Sequence, residues 1–285
     1  MKKLVCLITA LLVLACCSFA QDVSVAEGSE PQASVPESAA PVCFGESRTS
    51  FDTKNINRTG NLKLAVQKIN GKVIQPGEVF SYNKTLGRRT AEAGYKEAIV
   101  FSGGKQVRDL GGGICQVSST LFSAALLSGM EILSRRSHSQ KVAYITPGLD
   151  AMVYYGSQDF SFRNNLRCPV QIRAEIKGSS MTVSLWGEGA CKRKCTVISQ
   201  ATRDGKKAVV KRIVETQGGQ KTDYTSQSSY GSSSETKYVV VKKLTNNVAG
   251  AQGSGPAAAP PASAAEAPQP YEPIAGDGNE GLGFE

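Results

Sequence analysis

Histidine occurs once in the 285 residues, tryptophan once, and no two cysteines are spaced as CxxC. A structural zinc site draws on several Cys and His ligands at close spacing, so that class is excluded and no metal or other cofactor is implied. No apolar run reaches the roughly 20 residues of a membrane-spanning helix; the longest, Leu4 to Cys17, stops short of it. Base is also missing where it might be expected: residues 246–285 hold five acidic side chains and no basic one. What the N-terminus does have is Lys2 and Lys3, then that apolar stretch, then Ser18-Phe19-Ala20. Positive residues, an apolar core and small residues in this order spell an export signal cleaved after Ala20. A lipid anchor at Cys16 or Cys17 is the alternative, with Leu14 bulky for the position two before Cys16.

Removing residues 1–20 leaves Cys43, Cys115, Cys168, Cys191 and Cys195. An odd number in an oxidising compartment leaves at least one thiol unpaired. Position along the chain suggests Cys191 with Cys195 and Cys43 with Cys168, with Cys115 left over. The net charge is +9, with 19 basic and 11 acidic side chains in 44–190 and 12 and 4 in 191–245. An exported basic protein is expected to meet an anionic envelope polymer of the wall or lipid headgroups rather than nucleic acid, unless the charge serves solubility alone.

Residues 21–43 are rich in Ser, Pro, Ala and Glu without apolar periodicity and are expected as a disordered tether. The Pro/Ala/Gly-rich stretch 246–285 is expected as a disordered tail. In 44–190 the patterns are those of a packed domain. Asn61 is placed to cap a helix running to Ile69, stopped by Asn70-Gly71. Val73 to Ser81 is expected as a strand pair about Pro76-Gly77, and Ile99 to Val107 as a hairpin about Gly103-Gly104. A helix from Cys115 to Ser128 is apolar on nearly every side and should be buried. Strands are expected at Ile132–Arg136, Lys141–Ile145, Ala151–Tyr155, Phe160–Arg163, Val170–Ile176 and Met181–Trp186. The fold class is α+β, a buried helix packed on an antiparallel sheet. Residues 191–245 read as a basic, weakly structured extension with a hairpin or two.

Cys115 follows Gly111, Gly112 and Gly113 and opens the buried helix, where free N–H groups and the positive dipole end favour thiolate. His138 comes 23 positions later, and Asp150 could orient its imidazole. Transglutaminase-like and papain-like enzymes share this order of helix-borne Cys, then His, then Asp beside a sheet. Gln116 is a candidate oxyanion donor by side chain or backbone N–H, and Ser118 and Ser119 either line a polar pocket or hydrogen-bond within the helix. Taken singly, Cys115 also fits as a small core residue, His138 as a surface residue and Asp150 as a turn residue.

Several long pieces, in order across about 50–190, resemble the VanW family, named for an accessory member of a bacterial vancomycin-resistance cluster. They are Asn61 to Gly71, Pro76 to Ser81, Gly94-Tyr95, GGGICQVSSTLF from Gly111 to Phe122, His138-Ser139, Pro147 to Ala151, Tyr155 to Ser157 and Phe162 to Asn165. The resemblance implies a bacterial envelope protein and marks Cys115, His138 and Asp150 as motif positions, without supplying a mechanism. Cys168 departs from the family pattern and suggests a bridge peculiar to this chain. Two functions follow: a module that binds wall peptide or an envelope partner through Gly111–Asp150, or a cysteine amidase or transpeptidase acting on peptidoglycan peptides.

Overall fold

Every residue of the helix Ile114–Leu127 is buried except Cys115. The computed structural model in which this holds describes residues 40–102 and 105–246. The expected export signal with Cys16 and Cys17, the expected tether up to residue 39, the expected Gly103-Gly104 turn and the expected tail from 247 lie outside the described residues. In chain order the elements are β1 (Val42–Ser50), α1 (Ile56–Ile69), β2 (Val73–Ile74), β3 (Val79–Ser81), α2 (Tyr82–Leu86), β4 (Glu97–Ser102) and β5 (Lys105–Leu110). Then come α3 (Ile114–Leu127), β6 (Glu131–Ser134), β7 (Ser161–Arg163), β8 (Val170–Lys177) and β9 (Ser180–Gly187). The last four strands are β10 (Cys195–Ala201), β11 (Lys207–Thr216), β12 (Gly219–Ser229) and β13 (Val239–Thr245).

The pairings are antiparallel, and the architecture is mixed α and β with α3 at its centre. One sheet runs β1-β9-β8-β2, and α3 packs on β1 and β9 while α1 packs on β8. Leu121, Phe122 and Leu126 have no exposed surface. Burying each contributes about 1.5–3 kcal/mol, so the all-round apolar sequence of α3 is what draws it inside. The β8–β9 hairpin turns at Lys177-Gly178 as its alternation predicts, and β4 pairs with β5 as expected.

Several expectations are corrected. The cap of α1 is Asn55, whose side chain accepts from the Arg58 N–H, so the cap lies six residues before Asn61 and the helix begins at Ile56. The apolar period starts only at Leu62, and the exposed first turns hid the true start. Asn61 is buried, donating to the carbonyls of Lys96 and Gly112 and accepting from the Lys96 N–H. Strands β2 and β3 do not pair with each other: β2 joins β8 and β3 joins β7, so Pro76-Gly77 carries the chain between sheets. Lys141–Ile145 forms no strand, and Ala151–Tyr155 has only isolated bridges, Arg136 with Met152 and Tyr154 with Gln158. Of the transglutaminase-like or papain-like layout the helix-borne cysteine is present, whereas His138 and Asp150 sit on irregular chain rather than on strands.

Residues 195–245 form a four-stranded sheet, β12-β11-β10-β13, rather than a weak hairpin or two. Its outer strand β12 is polar and rich in Ser and Thr, which hid it, while Val197 and Val210 join the main core. Buried Arg212 pairs with Asp223 and donates to the carbonyls of Leu126 and Met130 at the end of α3. Asn246 closes the fold, donating to the carbonyls of Phe44, Leu127 and Arg193 and accepting from the Cys195 N–H. The disulfide joins Cys168 to Cys191, neither of the expected pairs. Register explains it: Val170 lies opposite Gly187, which brings the residues just outside the β8–β9 ladder together, whereas Cys195 opens the other sheet. Cys43, Cys115 and Cys195 are free.

Candidate functional site

The glycine triplet sets the entry to α3. A Cβ on Gly112 would lie 2.7 Å from the Ala98 carbonyl of β4, a backbone contact that cannot yield, and Gly113 caps the helix at φ +106°. Side chains are excluded at the first and strained at the second, so the chain can turn sharply and put Cys115 in the first helical turn. Ile114 N–H bonds to Gly111 O and Gln116 N–H to Gly113 O, while the Cys115 N–H between them donates to no acceptor among the described residues. Helix starts leave such donors free.

Beside this sulfur lies buried His138. Its Nδ1 is 2.7 Å from Asp150 Oδ2, and its backbone N–H donates to the same oxygen at 2.7 Å. The Cys115 thiol and the His138 ring line the same cavity, and each shifts the protonation of the other. The thiol also approaches the Val153 carbonyl at 3.5 Å. Asp150 has no exposed surface and is gripped on its other oxygen by Arg135 Nη2 at 3.0 Å and by the Tyr230 hydroxyl. Arg135 also donates to the carbonyls of Gly148 and Asp150 and to Ser228 Oγ, and Tyr230 Oη accepts from the Gly148 N–H.

This chain sets the protonation. Burial pushes the Cys115 thiol up, but the hydrogen bond and charge of His138, helped by Arg89, outweigh it and leave the pKa below the ordinary thiol value. Burial pushes His138 down, but bonds to Asp150 and Cys115 outweigh it and raise the imidazole to about 9. For Asp150, burial is outweighed by His138 and Arg135, so its carboxyl stays below the usual range. Together these favour thiolate beside imidazolium, the reactive form of a cysteine nucleophile.

The sulfur opens into a cavity of about 1000 Å³. Tyr144, on its wall, stands edge-on to the His138 ring with centroids 6.5 Å apart. Its buried hydroxyl lies near Ser119 but makes no hydrogen bond of acceptable geometry. Burial, then the charge at Cys115, push its pKa well above the phenol value, so it stays a proton donor.

Residues 57–186 match the family described as VanW like protein. The chain carries a VanW-like domain. It is 40% identical over 158 residues to "Uncharacterized protein YoaR" of Bacillus subtilis (strain 168), covering 55% of this chain and 52% of that one. It is 34% identical over 122 residues to "Vancomycin B-type resistance protein VanW" of Enterococcus faecalis (strain ATCC 700802 / V583), covering 41% and 44%. The chain thus spans about half the length of the curated relatives it matches. No solved structure matches.

Cys115, His138, Asp150 and Arg135 fall inside the matched part of the VanW-like domain, and Tyr230 and Ser228 lie beyond it. Of the residues expected to bind, Gly111, Gly113 and Gln116 line the cavity and Gly112, Ser118 and Ser119 do not. Ser118 Oγ donates to the Ala151 carbonyl, and Ser119 Oγ accepts from the Ala151 N–H and donates to the Cys115 carbonyl, so both tie α3 to the loop holding Asp150. Gln116 is not free to serve as an oxyanion donor: its N–H is used by Gly113 and its amide by Thr49, Ser50 and Arg58. Sequence reasoning missed Arg135, Tyr144 and Tyr230. Arg135 lies near His138 in sequence, but nothing local distinguishes it from Arg136, and Tyr230 is 80 positions from the carboxylate it serves.

Proposed function

We propose that the VanW-like domain is a cysteine-dependent acyl-transfer enzyme, an amidase or transpeptidase, acting on peptide amides of the bacterial cell wall after export. The observation that carries this reading is Cys115 and His138 together on the wall of one open cavity, with the His138 ring held by Asp150. In this mechanism the Cys115 thiolate attacks the amide carbonyl carbon, forming a C–S bond and placing negative charge on the carbonyl oxygen. The free Cys115 N–H and the Tyr144 hydroxyl are the donors available to that oxygen. Collapse breaks the C–N bond, and the His138 imidazolium gives the departing amine its proton. Water or a second amine then attacks the thioester, losing its proton to His138, and the thiolate is regenerated. Asp150 holds the ring in orientation and carries the compensating charge.

The name of the Enterococcus faecalis relative is the reason for trying wall peptides first. The test is to incubate wild-type protein and Cys115→Ser with soluble peptidoglycan fragments and read products by mass spectrometry. Amide cleavage or exchange is expected with wild type and not with Cys115→Ser, whose circular dichroism should be unchanged. Turnover that survives in Cys115→Ser would sink the proposal. A binding module is the second reading, favoured by the cavity's size and its unpaired cations; it expects fragment binding, no turnover, and no effect of Cys115→Ser.

A further inference from the structure

Charge elsewhere in the site is internally matched. Asp150 is paired with Arg135, and the thiolate form of Cys115 with the imidazolium of His138. The cavity beyond them is not. Its lining includes Arg58, Arg88, Arg89, Arg108 and Lys141 against one acid, Asp109. None of these five cations is in an ion pair among the described residues. The Asp109 carboxylate accepts from the N–H of Leu110 beside it.

Two of the cations are half-buried and held in place by neutral groups. Arg58 Nη2 donates to Gln116 Oε1 at 2.6 Å, next to the nucleophile, and burial pushes the pKa of its guanidinium down. Arg89 donates to the Gly87 carbonyl at 2.8 Å and to Asn83 Oδ1 at 2.6 Å, and lies over the Tyr155 ring. Its Nε is buried without an acceptor. Neutral acceptors orient a guanidinium without neutralising it. The two guanidinium-bearing chains flank the glycine triplet before Cys115, Arg89 against Gly111 and Arg58 against Gly113, and a planar fork binds a carboxylate through paired N–H bonds. The lining also includes the apolar Ile99, Val107 and Met152, which suit side chains rather than a polyanion.

We infer that the cavity takes an acyl donor carrying a free carboxylate close to the scissile amide, a short peptide held by Arg58 and Arg89 so that its carbonyl meets Cys115. The inference rests on the acyl-transfer reading for its orientation, but the preference for the anion does not need a reactive thiol. Phosphate could satisfy the same guanidiniums, yet a phosphodiester has no acyl carbon for a thiolate.

The test is calorimetric titration of the full-length Cys115→Ala protein with N-acetyl-alanyl-alanine, with its C-terminal amide, and with inorganic phosphate. The acid should bind at least tenfold more tightly than the amide and than phosphate. Arg58→Gln and Arg89→Gln should each remove most of that preference, while Arg58→Lys and Arg89→Lys, which keep the charge, retain part of it. Equal affinity for acid and amide overturns the inference, and tighter binding of phosphate overturns the choice of carboxylate. In the wild-type protein, alkylation of Cys115 by iodoacetate should outpace iodoacetamide at least tenfold relative to free cysteine. A sulfur inert to both reagents below pH 8, with the titration preference intact, would count against the acyl-transfer reading and leave the carboxylate site standing.

Discussion

Tyr230→Phe probes how far the second sheet supports the site. The substitution keeps the ring, which is almost fully buried, and removes one oxygen. That oxygen donates to Asp150 and accepts from the Gly148 N–H at 2.6 Å. A hydrogen bond to a charged group contributes about 1.5–3 kcal/mol, and a buried N–H left without a partner costs about 1–3 kcal/mol. Because the two losses share one atom they do not add fully, and the expected destabilisation is about 2–4 kcal/mol. For a domain of this size each kcal/mol shifts Tm by about 2–4 °C, so differential scanning calorimetry should show a fall of about 4–16 °C. Tyr238→Phe, on a surface-exposed ring, is the control and should stay within about 0.5 kcal/mol of wild type. At the site, Asp150 keeps Arg135 and His138, so it remains ionised at neutral pH, and the alkylation midpoint of Cys115 should rise by less than about one pH unit. A Tm unchanged within 1 °C would refute the buttressing role. So would a stably folded variant whose Cys115 had lost all reactivity, since Arg135 would then be doing nothing for the carboxylate.

His138→Gln removes the main influence that lowers the Cys115 pKa and leaves burial to push it up. Iodoacetamide kinetics should give a wild-type midpoint below the ordinary thiol value of about 8.5 and a variant midpoint above it; the reverse order would overturn the ion-pair assignment. Acyl transfer needs imidazolium as the acid, and with His138 raised to about 9 the pH–rate profile should fall on an alkaline limb near that pH. Gly112→Ala forces a methyl group into the β4 backbone, and thermal melting should show a loss of about 1–3 kcal/mol or failure to fold. Peptide mapping without reduction should find Cys168 joined to Cys191, with Cys43, Cys115 and Cys195 open to label after denaturation; a Cys191–Cys195 peptide would contradict the register argument.

Patterns that are complete within a few residues were legible. The all-round apolar helix after three glycines, the alternating β8–β9 hairpin and the paired β4 and β5 are of this kind, and the first explains why Cys115 could be singled out. Cys115, His138 and Asp150 also lie together in space, in the order read from the chain. What could not be read depends on partners far away in sequence. Apolar residues in 141–155 suggested strands, but there the backbone is held by side chains such as Arg135, Ser119 and Tyr230 instead of a ladder. The disulfide follows from strand register, which cysteine spacing does not encode. The polar β12 strand is stabilised by pairing with β11, so its composition resembled a loop.

The clasp at Asn246 has a consequence for timing. Phe44, near the start of the first strand, and Leu127, at the end of the central helix, wait for a side chain at the far end of the described residues. As the chain emerges from the ribosome, nucleophile, ring and carboxylate are all synthesised well before Tyr230 and Asn246. The contacts of Tyr230 and Asn246 are therefore the last to form, closing a site whose nucleophile, ring and carboxylate are already in the chain.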